Sequence, residues 1–279
     1  MNADAVTRSG RLRARRAATG SALEGAARAG LVARGAIYLL VGALALRIAF
    51  GDGGRQADRS GALEEISTKP FAAVLLWALG AGLVGMALWR LSEALFGAAG
   101  RDGGTARKRL LSAVRCVFYA FVAYSVLSFA AGAGAGGTGS SDRQSRDVTA
   151  RALERPGGQW IVGAAGAATV VAGVWIAARA VLRKYRDQLK LGEMSRRVRR
   201  AVDTTGVAGG VARGLVFAAA GAFAVRAAVD YEPDKAKGVD DTLRSFTDTP
   251  LGPWLLACVA VGLVLFGTFS CAMARWRRV

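Results

Sequence analysis

The stretch Arg34-Gly-Ala-Ile-Tyr38 opens a long apolar run, and two close variants of it open further runs downstream. Each run is followed by a polar stretch, a proline and a second apolar run. The same two-run unit therefore occurs three times, and this repeat determines the predicted architecture. The variants begin at Arg115 (with Tyr119) and Arg213 (with Phe217), and the prolines are Pro70, Pro156 and Pro250.

Six apolar stretches of roughly 18 to 25 residues are long enough to cross the hydrocarbon core of a bilayer. Backbone amides must pair internally in lipid, so each stretch is predicted to be a helix or part of a closed barrel. Continuous apolar runs, rather than short alternating segments, exclude the barrel. The predicted spans are 31–50, 71–96, 111–135, 160–182, 207–229 and 254–274.

Each unit runs outward, turns through a polar loop and returns, so all three units share one orientation. Parallel repeats of this kind are related by an axis along the membrane normal. We expect an all-α polytopic membrane protein, in which three tandem helical hairpins form a pseudo-threefold bundle. The segments, in chain order, are a basic tail, repeat 1, a linker, repeat 2, a basic linker, repeat 3 and a basic tail: 1–29, 30–97, 98–110, 111–182, 183–206, 207–274 and 275–279.

The formal charge of +18 is unevenly distributed along the chain. The tail 1–29 carries six arginines against two acids, and the linker 183–206 carries eight basic residues against three acids. The loops within the units are near neutral or acidic, the alternation that the positive-inside rule describes. We therefore predict a cell-membrane protein with both termini in the cytoplasm. Anionic lipid headgroups at the cytoplasmic face are predicted partners, and nucleic acid is not, because no aromatic-interleaved basic motif accompanies the charge.

Further residues recur in register. Arg47 and Arg226 each lie thirteen residues after the first arginine of their unit, where the middle unit has Ser128. Trp160 and Trp254 each lie four residues after a proline. Another aromatic position, nineteen residues after each proline, holds Trp89, Trp175 and Phe269. Aromatics a span apart are typical of the two membrane interfaces, and a proline suits the first turn of a helix.

Short surface helices are predicted at 60–67 and 241–246, with acidic residues before the prolines as caps. These acids are Asp58, Asp147, Asp240 and Asp241. The segment 130–141 is nearly all Gly, Ala and Ser, and its latter part is predicted to be a flexible loop. Small residues one turn apart favour close helix packing; such pairs are Gly210 with Gly214, Gly132 with Gly136, and Ala81 with Gly85.

Taken together, these motifs resemble a bacterial, largely actinobacterial membrane-protein family catalogued as a domain of unknown function, number twelve-oh-six. Its members carry the same two-helix unit in tandem, typically three times. The resemblance covers about 30–274. The middle unit departs most, since Cys116 follows its arginine and Ser128 replaces the distal arginine. The resemblance implies membrane localisation and supplies no catalytic residues.

The sequence contains no histidine, which removes the commonest general base and metal ligand. No catalytic, metal or cofactor motif is present, so we predict a protein that is not an enzyme and binds no cofactor or metal. Cys116, Cys258 and Cys271 are predicted to be packing residues.

The arginines within the spans leave two interpretations open. They either extend to the headgroups, or they face inward, pair with Glu93, Asp230 or loop carboxylates, and fix contacts between repeats or bind an anionic group. The candidates are Arg34, Arg47, Arg115, Arg213 and Arg226. Arg90 and Glu93, three residues apart, are predicted to form a local ion pair.

The predicted function is interaction with proteins or lipids, including a membrane-protein partner or a second copy of the chain. The alternative is a channel or transporter for a small solute or ion along the pseudo-threefold axis. Transport usually requires polar groups or broken helices at the midplane, whereas these midplanes are mostly Leu, Ala, Val and Gly.

Overall fold

The computed structural model describes residues 3–51, 57–68, 71–96, 105–131, 141–247 and 252–277. Over these ranges the chain is helical, apart from short connections and one isolated bridge between Leu189 and Arg277. The α-helices are α1 (Ala3–Ala49), α2 (Arg59–Ser67), α3 (Ala72–Phe96), α4 (Ala106–Ala130), α5 (Ser141–Leu153), α6 (Gly158–Val181), α7 (Arg196–Val229), α8 (Val239–Ser245) and α9 (Gly252–Trp276).

Six of these helices, α1, α3, α4, α6, α7 and α9, are long and apolar enough to cross a membrane. The predicted all-α, six-span architecture is therefore confirmed. Two helices are longer than their apolar runs. Helix α1 begins at Ala3, within the basic tail, and α7 begins at Arg196, within the basic linker. The Ser195 hydroxyl caps α7 by accepting a hydrogen bond from the Val198 amide.

The long helices pack in a cyclic order. The first helix of each unit lies against the second helix of another unit: α1 on α9, α4 on α3, and α7 on α6. Since the last helix packs on the first, the three units surround a common axis. This is the packing expected of a pseudo-threefold bundle.

The glycine that follows the repeat arginine sets these crossings between units. A Cβ added at Gly35 would lie 2.9 Å from the Gly267 carbonyl oxygen, and one at Gly214 would lie 2.6 Å from that of Gly173. Gly267 and Gly173 both lie seventeen residues after their proline. The two helix backbones therefore approach closely at the same register in both places, as small residues permit in membranes. The corresponding residues of the third crossing are Cys116 and Ala87.

The two helices within a unit pack together in the first and third units but not in the middle one. Helix α3 lies on α1, and α9 lies on α7, whereas α4 and α6 do not pack on each other. In the closed units a glycine four residues before the repeat arginine lets the partner helix approach closely. A Cβ at Gly30 would lie 2.5 Å from the Met86 Cβ, and one at Gly209 would clash with the Phe266 amide nitrogen. The middle unit has Leu111 at this position, and it is 47% exposed.

Leu111 is too large for that crossing, so the middle hairpin stays open. We call the space between α4 and α6 the middle cleft. All three packing contacts between units are therefore present, whereas only two of the three units have their own two helices packed together.

The short helices gather at one end of the bundle, which we call the loop end. Helices α2 and α8 agree with the predictions for 60–67 and 241–246, and Asp58 caps α2 by accepting from the Gly61 amide at 2.9 Å. The cap of α8 is Gly238, and Asp240 and Asp241 lie in its first turn, so the prediction that they cap this helix is wrong. Asp240 instead accepts from the Ala57 amide at 2.6 Å, which ties the first unit to the third.

The prediction that Asp147 caps a helix is wrong. Asp147 lies inside α5, a helix of thirteen residues that the sequence analysis did not predict. This helix was not identified from the sequence because most of its residues are polar. Only a narrow apolar stripe, which includes the buried Leu153, faces the bundle. The predicted flexible loop falls largely on 132–140, outside the described residues, as does the pair Gly132 and Gly136.

Candidate anion-binding site at the basic end

Five arginines from different parts of the chain gather at the end opposite the short helices, which we call the basic end. Arg34 lies on α1, Arg90 on α3, Arg115 on α4 and Arg213 on α7, while Arg277 directly follows α9. We call these five residues the arginine cluster. Three of them are the first arginines of the three units, so the repeat motif brings its own charged residues together.

Arg34 and Arg213 share one aromatic ring. Their guanidinium carbons lie 5.3 and 5.0 Å from the centroid of Phe266, on α9. Arg34 Nε also donates to the hydroxyl of Ser270 at 3.2 Å, and Ser270 is fully buried. Both arginines therefore face the interior, which answers the question left open for them by the sequence. Cation–π contacts of this kind stabilise a charge by about 0.5–2 kcal/mol.

The aromatic residues of the repeat motif surround these two charges. The Arg213 guanidinium carbon lies 5.7 Å from the ring of Tyr38 and 5.2 Å from that of Phe217. The Tyr119 side chain is buried, and its hydroxyl interacts with Arg34 and, electrostatically, with Arg213. The motif aromatics of all three units thus converge near the axis and separate two arginines from lipid.

A second pair of arginines shares Trp89. The guanidinium carbons of Arg90 and Arg277 lie 4.2 and 4.4 Å from its ring. Arg90 Nη1 donates to Glu93 Oε2 at 2.6 Å, in agreement with the predicted ion pair, and the Ser112 hydroxyl reaches the same carboxylate oxygen at 3.3 Å. The pair is buried rather than solvated, since the two charged side chains are 7% and 12% exposed.

Positive charge exceeds negative charge within the cluster. Glu93 is the one carboxylate that contacts these five arginines among the residues described. The Nε atoms of Arg90, Arg213 and Arg277 are buried without a hydrogen-bond partner in the described part of the chain. Burial, followed by the charge of Arg90, lowers the pKa of Arg277. Buried charges are costly unless paired, so this arrangement favours a bound anion that accepts hydrogen bonds.

The basic linker closes the end of the bundle beside the cluster. Lys190 donates its amide to the Trp276 carbonyl at 2.9 Å, and Leu189 is buried. The ring of Tyr185 lies 4.9 Å from that of Phe269, and its hydroxyl contacts Asp203. Burial and the neighbouring Asp203 carboxylate raise the pKa of Tyr185 to about 12. The linker is therefore a folded cap rather than a loose connection.

The other predicted site residues lie elsewhere. Arg47 lies 4.0 Å from Glu65, and Arg226 lies 3.8 Å from Asp230, both towards the loop end. Both arginines are exposed, whereas the Glu65 side chain is only 14% exposed. Arg115 is exposed and lies near Arg90 and Glu93. The landmark residues Trp160 and Trp254 are 82% and 70% exposed, and Pro156 is exposed. Pro70 and Pro250 lie outside the described residues.

Sequence reasoning missed several members of the site. Trp89 and Phe269 were predicted at a membrane interface but are buried, because the arginines and the linker cover them. Arg277 was assigned only to the basic tail 275–279, and Ser270 was not singled out. The repeat register could have identified two of these residues, because Arg90 and Ser270 each lie twenty residues after the proline of their unit. In the structure each of them faces the first arginine of the next unit in the ring.

The fold and the cluster define a class: a multi-pass helical membrane protein built from three repeats, with arginines gathered at one end. The chain belongs to the family described as Domain of Unknown Function (DUF1206), which matches it three times, over residues 29–97, 111–183 and 208–277. It is also similar to "Uncharacterized protein YxxB" of Bacillus subtilis (strain 168), with 31% identity over 247 residues that cover 87% of each chain. No solved structure matches.

Proposed function

We propose that this protein is a non-catalytic membrane protein that acts by binding anionic lipids at its basic end. The observation that carries the proposal is a groove of about 550 Å³ on the basic linker, lined by five arginines together with Asp203 and Thr204. Four of these arginines are exposed: Arg183, Arg196, Arg199 and Arg200. They lie at the same end as the arginine cluster, so positive charge is presented on the surface and beneath it.

Physical chemistry supports this partner. A basic residue near an anionic leaflet contributes about 1 kcal/mol to membrane attraction. Six spans already hold the linker at the membrane surface, so no ordering cost is added when lipid binds. The distribution of charge favours placing this end, and both termini, in the cytoplasm.

Transport along the axis is the weaker candidate. The axis at the level of the cluster is filled by Tyr38, Tyr119 and Phe266, with two guanidinium groups between the rings. Towards the loop end the buried core is apolar and includes Leu44 and Leu263. A solute path needs polar groups at the midplane, and the described residues offer none on this axis beyond a few hydroxyls. Solute flux into proteoliposomes, if specific and saturable, would reverse this ranking.

Thiol labelling tests the orientation. With the native cysteines replaced by serine, Ser67→Cys at the loop end is expected to react with a membrane-impermeant maleimide in intact cells. Gly192→Cys, on the basic linker, is expected to react only after the cells are opened. Both positions are exposed, so accessibility depends on the side of the membrane. The reverse pattern would show that the charge of the linkers does not set the topology.

Removal of linker charge tests the lipid partner. The double variant Arg199→Gln/Arg200→Gln is expected to weaken the preference for phosphatidylglycerol over phosphatidylcholine several-fold, because two surface charges are lost. The measurement is the lipid retained by protein purified from mixed bicelles, at low and high salt. The matched control is Arg151→Gln/Arg155→Gln, two exposed arginines at the loop end. An equal effect of both variants would contradict a specific role for the basic end.

A further inference from the structure

The middle cleft is apolar at the positions that close the other two units. In the closed units, the residues four and one before the repeat arginine face the partner helix of the same unit, as Gly209 and Ala212 do with Phe266 and Gly262. At these positions α4 has Leu111 and Val114, which are 47% and 60% exposed. The register predicts that Ala168 and Ala172 of α6 face them, and both are exposed.

The basic end of this cleft is strongly positive. Arg115 on α4 and Arg179 on α6 are both exposed, and the charge of Arg179 acts on Arg115. Arg90, 5% exposed, lies behind Arg115 and has a buried Nε without a partner in the described part of the chain. Three arginines from α3, α4 and α6 therefore lie at the basic end of the cleft, with Arg115 directly after the apolar positions Leu111 and Val114.

We propose that the middle cleft is the binding site of one anionic phospholipid, whose acyl chain lies between α4 and α6 and whose phosphate is bound by Arg90, Arg115 and Arg179. The inference rests on the proposed lipid binding but assigns it to residues distinct from the linker groove. An apolar slot with cations at one end matches the chemistry of this class of ligand. Planar guanidinium groups bind phosphate well, and the exposed Arg115 and Arg179 present theirs at the cleft.

The geometry of the cleft also explains why a lipid is preferred to a soluble anion. The opening is lateral, between two membrane-spanning helices, so a molecule that diffuses in the bilayer reaches the arginines directly. The linker, through Leu189 and Tyr185, covers the basic end beside the cluster. A lipid chain fills the space that the second helix of the hairpin fills in the other two units.

The test uses the full chain, stripped of lipid in a neutral detergent. Phosphatidylglycerol is expected to raise the melting temperature and to appear as one retained molecule by native mass spectrometry. Arg115→Gln is expected to weaken this binding about tenfold, as loss of a charge-assisted hydrogen bond does. Ala172→Phe, which fills the cleft without changing charge, is expected to weaken it similarly. Arg226→Gln, an exposed arginine of the loop end, is expected to change nothing.

Both cleft variants alter exposed residues, so their melting temperatures without lipid show whether they fold. Inorganic phosphate is the second probe. Equal stabilisation by inorganic phosphate and phosphatidylglycerol would overturn the lipid assignment in favour of a free anion. Retention of the lipid by both cleft variants, together with its loss in Arg199→Gln/Arg200→Gln, would overturn the cleft site and leave the proposed function standing. Absence of any preference for phosphatidylglycerol in the unaltered protein would overturn both.

Discussion

Glu93→Gln is expected to lower the free energy of unfolding by about 3–5 kcal/mol, the typical cost of removing one partner of a buried ion pair. Glu93 lies 2.6 Å from Arg90, and both side chains are buried. The substitution keeps the shape of the side chain but leaves a guanidinium in the protein interior without a counter-charge. The measurement is the melting temperature and the denaturant midpoint in detergent.

The chain offers a matched control for this variant. Lys190 and Glu193 have the same spacing in sequence, lie 3.6 Å apart and are 39% and 64% exposed. Exposed pairs contribute little, so Glu193→Gln is expected to change stability by less than about 0.5 kcal/mol. The difference between the two variants isolates the effect of burial.

Glu93→Gln is also expected to increase the stabilisation by phosphatidylglycerol. An anion then supplies the only counter-charge that contacts Arg90 among the described residues. A variant that is as stable as the unaltered protein, and no more responsive to the lipid, would show that Arg90 does not need Glu93 and that the cluster is neutralised by other means.

Gly173→Val is expected to prevent close packing of α6 on α7 and to lower the yield of folded protein sharply. A Cβ at Gly173 would lie 2.5 Å from the Ala218 amide nitrogen and 2.6 Å from the Gly214 carbonyl oxygen. Both are backbone atoms, so only movement of a whole helix relieves the clash. Overpacking costs about 1–3 kcal/mol where side chains can adjust, and more is expected here.

Gly163 on the same helix provides the comparison. A Cβ there would meet only the Ala228 Cβ at 3.7 Å, an ordinary contact. Gly163→Ala is expected to be neutral or mildly stabilising, because alanine favours helix more than glycine does. Size-exclusion profiles and melting temperatures of the two variants check the prediction. Equal tolerance at both positions would mean that the backbones of α6 and α7 do not approach closely at Gly173.

The six spans and the threefold repeat were predictable because they depend on local sequence. Hydropathy reports each span directly, and the recurring arginine, aromatic and proline fix the register of the units. The cyclic packing follows from the parallel orientation of three hairpins. For these features, no knowledge of tertiary contacts was required.

The open middle hairpin and the full arginine cluster were not predicted, because both depend on contacts between distant segments. Leu111 looks like any other apolar residue of a span until it is compared with Gly30 and Gly209, which let the partner helix approach closely. Arg277 is buried because the linker turns back and pairs Leu189 with it. Neither the open middle hairpin nor the burial of Arg277 can be recognised from the hydropathy or the charge of the sequence alone.

The contact between Arg34 and Ser270 joins residues separated by 236 positions in the chain. During synthesis, Arg34 on α1 therefore gains the Ser270 partner only after α9, the last helix, has been made. Until then the side chain of Arg34 lies beside the position that α9 later occupies. A chain that ends before α9 therefore lacks both the Ser270 hydroxyl and the Phe266 ring that Arg34 contacts in the folded protein.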